Sequence, residues 1–252
     1  MSFQLRREER LDGAQLTAML SENPAKAAQA ILLAASQGMV DAQALLGQIL
    51  LDGKGIERDP VLAKRWFQIA ANAGHVMARN MLGRCWEQGW GGAADATLAS
   101  LEYRQAAEAG LDWAMYNYAN LLATGRGVTE NPNTALLLYR QAAELGHAKS
   151  MNLLGRYLEE GRHCPQDLKA AYAWYERSAQ GGDFRGQFSH AAILAENGRV
   201  DEALVWLERA LEGGNLNFLR VAHVALEQSS VPEIRQMSAA YRRRMEALSA
   251  PE

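Results

Sequence analysis

"RWFQIAANAGH", residues 65–75, reads as the closing half of an amphipathic helix that stops at a glycine. The chain writes it again: "EYRQAAEAGL" from 102, "LYRQAAELGH" from 138, "WYERSAQGGD" from 174 and "WLERALEGGN" from 206, with a fainter "AILLAASQGM" from 30. The closing glycines Gly38, Gly74, Gly110, Gly146 and Gly182 follow one another at steps of 36 residues, and Gly214 comes 32 later. Other columns keep the step: Ala27, Ala63, Ala99, Ala135, Ala171; Ala34, Ala70, Ala106, Ala142, Ser178; and Gly53, Gly89, Gly125, Gly161. Self-similarity at this period is the mark of a helical repeat array.

Each column has a mechanical reason. Asn23, Asp59, Asp95, Asn131 and Asp167 place a short acceptor where a helix begins, and Pro24, Pro60 and Pro132 follow where proline is best tolerated. About fifteen residues on, the closing glycines supply the left-handed conformation that ends a helix. Ala63, Trp66, Phe67 and Ala70 then form one apolar stripe. A preceding helix, "AQALLGQIL" from 42, recurs as "ARNMLGRCW" from 78, "AMYNYANLL" from 114 and "SMNLLGRYL" from 150. In it Gly47, Gly83, Ala119, Gly155 and Ala191 keep a small contact that lets paired helices approach, while Leu50, Trp86, Leu122, Leu158 and Leu194 fill the next core position. Such a pair cannot cover its own stripe and must stack on the next copy. The spacing predicts an all-α fold, a right-handed α-solenoid of stacked antiparallel helix pairs, with the first helices lining the inner curve.

The pattern in "AQALLGQILLDGKGI" (42–56) followed by "AKRWFQIAANAGH" (63–75) resembles the Sel1-like repeat family, relatives of the tetratricopeptide repeats. Further copies stand in 121–147 and 153–182, so the resemblance covers residues 23–215. It departs in three places: Gly92 replaces the usual valine, His163 replaces the second loop glycine, and the unit near "NGRVDEAL" (197–204) shortens to 32 residues. Residues 1–22 are expected to form an N-terminal cap and 216–252 C-terminal capping helices, with Ser230 and Glu233 as a capping box, all in one domain. The resemblance implies a scaffold or adaptor that holds other proteins. A cysteine-rich, secreted subset of the family is linked to penicillin binding or β-lactam hydrolysis; this chain, without a cysteine pair in every repeat, does not resemble it.

A net charge of −3 gives no broad cationic field for nucleic acid. The arginines of "YRRRM" (241–245) spread around a helix and read as a solvated surface. No apolar run approaches the roughly 20 residues of a membrane span, and with only Cys85 and Cys164 as thiols a cytoplasmic location is expected. No catalytic motif was found, and no cofactor or metal is expected. His75 and His147 follow capping glycines and are read as turn residues, His190 and His223 as interior ones. His163 and Cys164 are two soft ligands where a metal needs more, and Cys85 reads as a small packed residue.

By analogy with tetratricopeptide domains, the inner curve presents Asn80, Arg84, Trp113, Tyr116, Asn120, Lys149, Asn152 and Arg156. Asparagine amides can bond a peptide backbone, arginines its carboxylates, and the two rings can anchor apolar side chains. Two readings of this face stand open, a peptide-binding groove or a solvated surface with rings packed on a neighbouring helix. The partner expected is a protein or extended peptide. Alternatives are a hydrolase or small-molecule module using the same groove, and self-association through an end repeat.

Overall fold

The computed structural model describes residues 21–249; the expected N-terminal cap thus falls mainly outside the described residues. Within them every regular element is a helix: α1 (Pro24–Ser36), α2 (Val40–Asp52), α3 (Pro60–Asn72), α4 (Val76–Gln88), α5 (Ala96–Glu108), α6 (Asp112–Thr124), α7 (Pro132–Glu144), α8 (Ala148–Glu160), α9 (Leu168–Gln180), α10 (Phe184–Glu196), α11 (Val200–Gly213), α12 (Leu216–Glu227) and α13 (Pro232–Ser249). The chain divides into two compact units: residues up to Leu111 with Arg126–Val128, and Asp112–Gly125 with everything from Thr129 on. Inside each unit successive helices pack in chain order. The architecture is therefore all-α and built of stacked helix pairs, as the periodicity predicts.

The helix starts follow the expected chemistry. Asn23, Asp59, Asp95, Asn131 and Asp167 accept main-chain N–H groups from Lys26, Leu62, Thr97 and Leu98, Thr134, and Ala170. The helices last 13 residues rather than fifteen, because the two residues before the histidine or its equivalent are spent on the turn. There Gly38, Gly74, Gly110, Gly146 and Gly182 take φ of 85, 92, 90, 103 and 83°. Gly214 differs, with extended backbone at φ −68°; it is held by crowding, since a Cβ there would lie 2.7 Å from the Phe218 ring.

The joint between paired helices is a glycine set against a ring. A Cβ on Gly47, Gly83 or Gly155 would come within 2.8, 2.7 and 2.7 Å of the rings of Phe67, Tyr103 and Tyr175. These rings are buried, and each contributes roughly 1.5–3 kcal/mol by burial. Polar partners follow the ring. Tyr103 donates to Glu87 Oε2 at 2.7 Å, and Tyr175 to Glu159 Oε2 at 2.5 Å. Where the column carries Phe67, the position matching Glu87 is Leu51, and both are buried. Where it carries Ala123, Tyr139 donates instead to Asn120 Oδ1 at 2.7 Å. Trp86 departs from the expected core role: it is half-buried, with the Lys64 ammonium 3.0 Å from its ring centroid.

Candidate functional site

The first helices of the second unit, α6, α8 and α10, begin with residues that serve two purposes. His147 caps α8 by accepting the Ser150 N–H on Nδ1 at 3.3 Å, with the Ser150 hydroxyl 2.9 Å from the same nitrogen. Asp183 caps α10 by accepting the Gly186 N–H on Oδ2 at 2.9 Å. His147 is 4% exposed and Asp183 5%. Their remaining atoms, His147 Nε2 and Asp183 Oδ1, accept or donate no hydrogen bond. Both residues line one recess of about 290 Å³, together with Asp112, Trp113, Lys149 and Phe184.

Trp113 and His147 line this recess, and a series of rings leads away from them. Trp113 meets His147 edge-on at 4.7 Å, and Tyr116 lies 4.9 Å from His147. From Tyr116 the series continues through Tyr139 at 6.2 Å and Tyr157 at 6.0 Å to His163 at 6.2 Å. The Lys149 ammonium stands 5.3 Å from the Trp113 ring centroid, while Trp113 itself remains 43% exposed. Burial pushes the His147 pKa down to about 4, with Asp112 opposing and Lys149 reinforcing the shift. Burial also raises the Asp183 carboxyl above its ordinary value, against the Gly186 N–H and the charges of Arg185 and Lys149. The recess is thus lined by a neutral imidazole and a buried carboxyl.

The eight residues expected on the groove are distributed unevenly. Asn80 and Arg84 stand on α4 of the first unit; the other six stand on α6 and α8 of the second. Trp113, Tyr116 and Lys149 come together around His147. Asn80 and Asn152 are buried at 2% and 3%, and Asn152 accepts from the Ser189 hydroxyl, so neither amide offers much surface to a peptide. Asn120 is engaged by Tyr139, Arg156 faces Glu160 at 3.8 Å, and Arg84 lies over Trp90 at 4.9 Å. His147 and Asp183 were not among the eight. Their signal was the column after the closing glycines, His75, Leu111, His147, Asp183 and Asn215, of which the sequence reading took only the two histidines, as turn residues.

Other chemistry-bearing groups are placed as packing residues. Cys85 is fully buried with its thiol pushed up to about 11 by burial. Cys164 donates to the Tyr157 carbonyl at 3.4 Å. His190 packs edge-on against Trp206 at 5.5 Å, and His223 Nδ1 lies 3.2 Å from the Leu219 carbonyl. His163 keeps the loop glycine's left-handed backbone, φ 58°. Arg242, Arg243 and Arg244 are exposed, as expected. A larger cavity of about 450 Å³ opens beside α10 and α12, lined in part by Ala192 and Ala195, where the preceding repeat has Arg156 and Glu159.

The Sel1 repeat family model matches residues 40–75, 114–147, 148–183 and 200–215. It passes over the copy carrying Gly92, although α4 and α5 pair there as in the other repeats. No curated protein matches the chain. Among solved structures, a Sel1 repeat protein from Oxalobacter formigenes is 23% identical with a TM-score of 0.76, covering 92% of this chain and 99% of that one. A protective antigen of uropathogenic Escherichia coli, displaying an SLR fold, is 24% identical with a TM-score of 0.68, over 94% of this chain and 53% of its own. An immunity protein from Pseudomonas aeruginosa is 15% identical with a TM-score of 0.54, over 83% of this chain and 81% of its own. At these identities the likeness establishes the fold, an α-solenoid of helical repeats.

Proposed function

We propose that this chain, which belongs to the Sel1-repeat family, is a non-enzymatic protein-interaction scaffold, and that the starts of α6 and α8 supply its contact with a partner protein or extended peptide. Proteins of the family are in general interaction scaffolds and non-catalytic. The observation that carries the site is Trp113, a large ring 43% exposed, yet held in place by His147 on one side and Lys149 on the other. A rigid aromatic with a wet face loses little conformational entropy when a partner covers it, which is why such residues dominate binding energy. No described helix is long and apolar enough to cross a membrane. The reading places the chain in the cytoplasm, where the free thiols Cys85 and Cys164 stay reduced.

The test starts from partners captured by the whole chain and identified by mass spectrometry. Affinity for a purified partner is then measured with Trp113→Ala and, in the first unit, Arg84→Ala. Trp113→Ala is expected to weaken binding at least about tenfold, or roughly 1.4 kcal/mol. Unchanged affinity in a variant with native helicity removes this face from the function.

A further inference from the structure

We propose that the recess over the starts of α8 and α10 binds one extended residue of a peptide backbone: His147 Nε2–H donates to that residue's C=O, Asp183 Oδ1 accepts the same residue's N–H, and the exposed face of Trp113 covers the adjoining apolar side chain. The proposal takes the source of the peptide from the scaffold reading, and nothing else.

Three observations lead to a peptide residue. First, two polar atoms lack hydrogen-bond partners on side chains that are more than nine-tenths buried and that line the same recess, and a buried polar atom is destabilising until something bonds it. Second, the two are unlike. The Ser150 N–H occupies the lone pair of His147 Nδ1, so the proton of the neutral ring sits on Nε2, which is a donor. Asp183 has one oxygen committed to Gly186, and the other is left as an acceptor. Third, the surrounding charges exclude ions of either sign. A carboxylate could accept from His147 but would bring its charge against Asp183 and Asp112. An ammonium could donate to Asp183 but has no lone pair for His147 and would face Lys149. The N–H and C=O of one extended residue are neutral and point to the same side, and they satisfy both atoms. A volume of about 290 Å³ is at the small end for ligand pockets and suits a short stretch of chain rather than a drug-sized molecule.

The test uses the whole chain and small probes, read by the ¹H–¹⁵N signals of His147 Nε2–H and the Trp113 indole. N-acetylleucine N-methylamide carries main-chain amides beside an apolar side chain. Propionamide carries the carboxamide alone, and isopentylammonium and 4-methylpentanoate supply the two charges on similar apolar bodies. The blocked leucine is expected to move both signals saturably and to bind at least tenfold more tightly than any other probe. Asp183→Asn places an NH₂ donor opposite the probe's N–H, and His147→Asn removes the Nε2 donor; both keep a good helix-capping side chain. Each is expected to weaken the blocked leucine at least tenfold while the unfolding midpoint stays within a few degrees. Equal binding of propionamide overturns the main-chain assignment, equal binding of a charged probe overturns the donor–acceptor pair, and no response to the blocked leucine means the two atoms are served by water alone. Probe binding without partner capture retires the scaffold reading and leaves the recess standing, whereas partner capture without probe binding does the reverse.

Discussion

His75 in the first unit and His147 in the second occupy the same place in the repeat and do the same local work. Each accepts a main-chain N–H on Nδ1, from Ala78 at 3.0 Å and from Ser150 at 3.3 Å, and so starts a first helix. Their other nitrogens live differently. His75 Nε2 reaches Asp41 at 3.6 Å, a carboxylate whose side chain is 98% exposed. His147 Nε2 has no partner and is buried against Trp113 and Tyr116. Two positions in the preceding first helix differ: the columns that hold Asp41 and Ala44 before His75 hold Trp113 and Tyr116 before His147. Beside the exposed acid the His75 imidazole stays half-buried, whereas beside the two rings the His147 imidazole is closed over. Capping is thus set by the repeat, whereas the availability of the second nitrogen is set by the neighbour.

The largest test of that contrast is at the loop glycines. Gly91 has φ 75°, and a Cβ there would lie 2.3 Å from the Pro60 carbonyl oxygen. His163 fills the matching position of the second unit with a side chain at φ 58°. Gly91→Ala is expected to cost about 3 kcal/mol by urea denaturation, from crowding and left-handed strain together. His163→Ala should cost under about 1 kcal/mol, because the second unit already accommodates a Cβ there. Equal effects would mean the neighbouring repeat does not set the tolerance.

Acid separates the histidines next. The His147 pKa of about 4 in the folded chain lies below the 6.5 of a free imidazole, so the unfolded state takes up the proton first. This contribution to stability is complete above pH 6.5 and is lost as pH falls toward 4; roughly 2 kcal/mol should disappear between pH 7 and pH 5. His147→Asn keeps the cap and should flatten that part of the pH profile in parallel urea melts.

A smaller effect is expected at the ring column. Phe67→Tyr buries a hydroxyl against Leu51 and should destabilise by about 1–2 kcal/mol. Adding Leu51→Glu rebuilds the pairing that Tyr103 makes with Glu87 and should return most of the loss; a double-mutant cycle showing additivity would refute the pairing rule. Smallest of all, Asp41→Asn should change stability by less than about 0.5 kcal/mol, because a pair this exposed is screened by water.

Much of the fold was legible before any coordinates. The acceptors at 23, 59, 95, 131 and 167 and the glycines from 38 to 182 fix helix ends by local backbone chemistry, and local chemistry is written in the residues beside it. The candidate site was legible only in part. Trp113, Tyr116 and Lys149 could be placed on one face by counting along a helix, but the same counting offered Asn80 and Asn152, which the structure buries.

The amino-acid sequence alone determined that this chain is a ladder of helical hairpins, where the second helix of five pairs starts and which glycine follows its end, because those features depend on contacts a few residues apart. Tertiary structure alone decided that His147 and Asp183 line one recess and that each keeps a polar atom without a partner. Burial and orphaned bonds depend on which side chain the adjoining repeat brings within a few ångströms, and that distance is not a property of either residue.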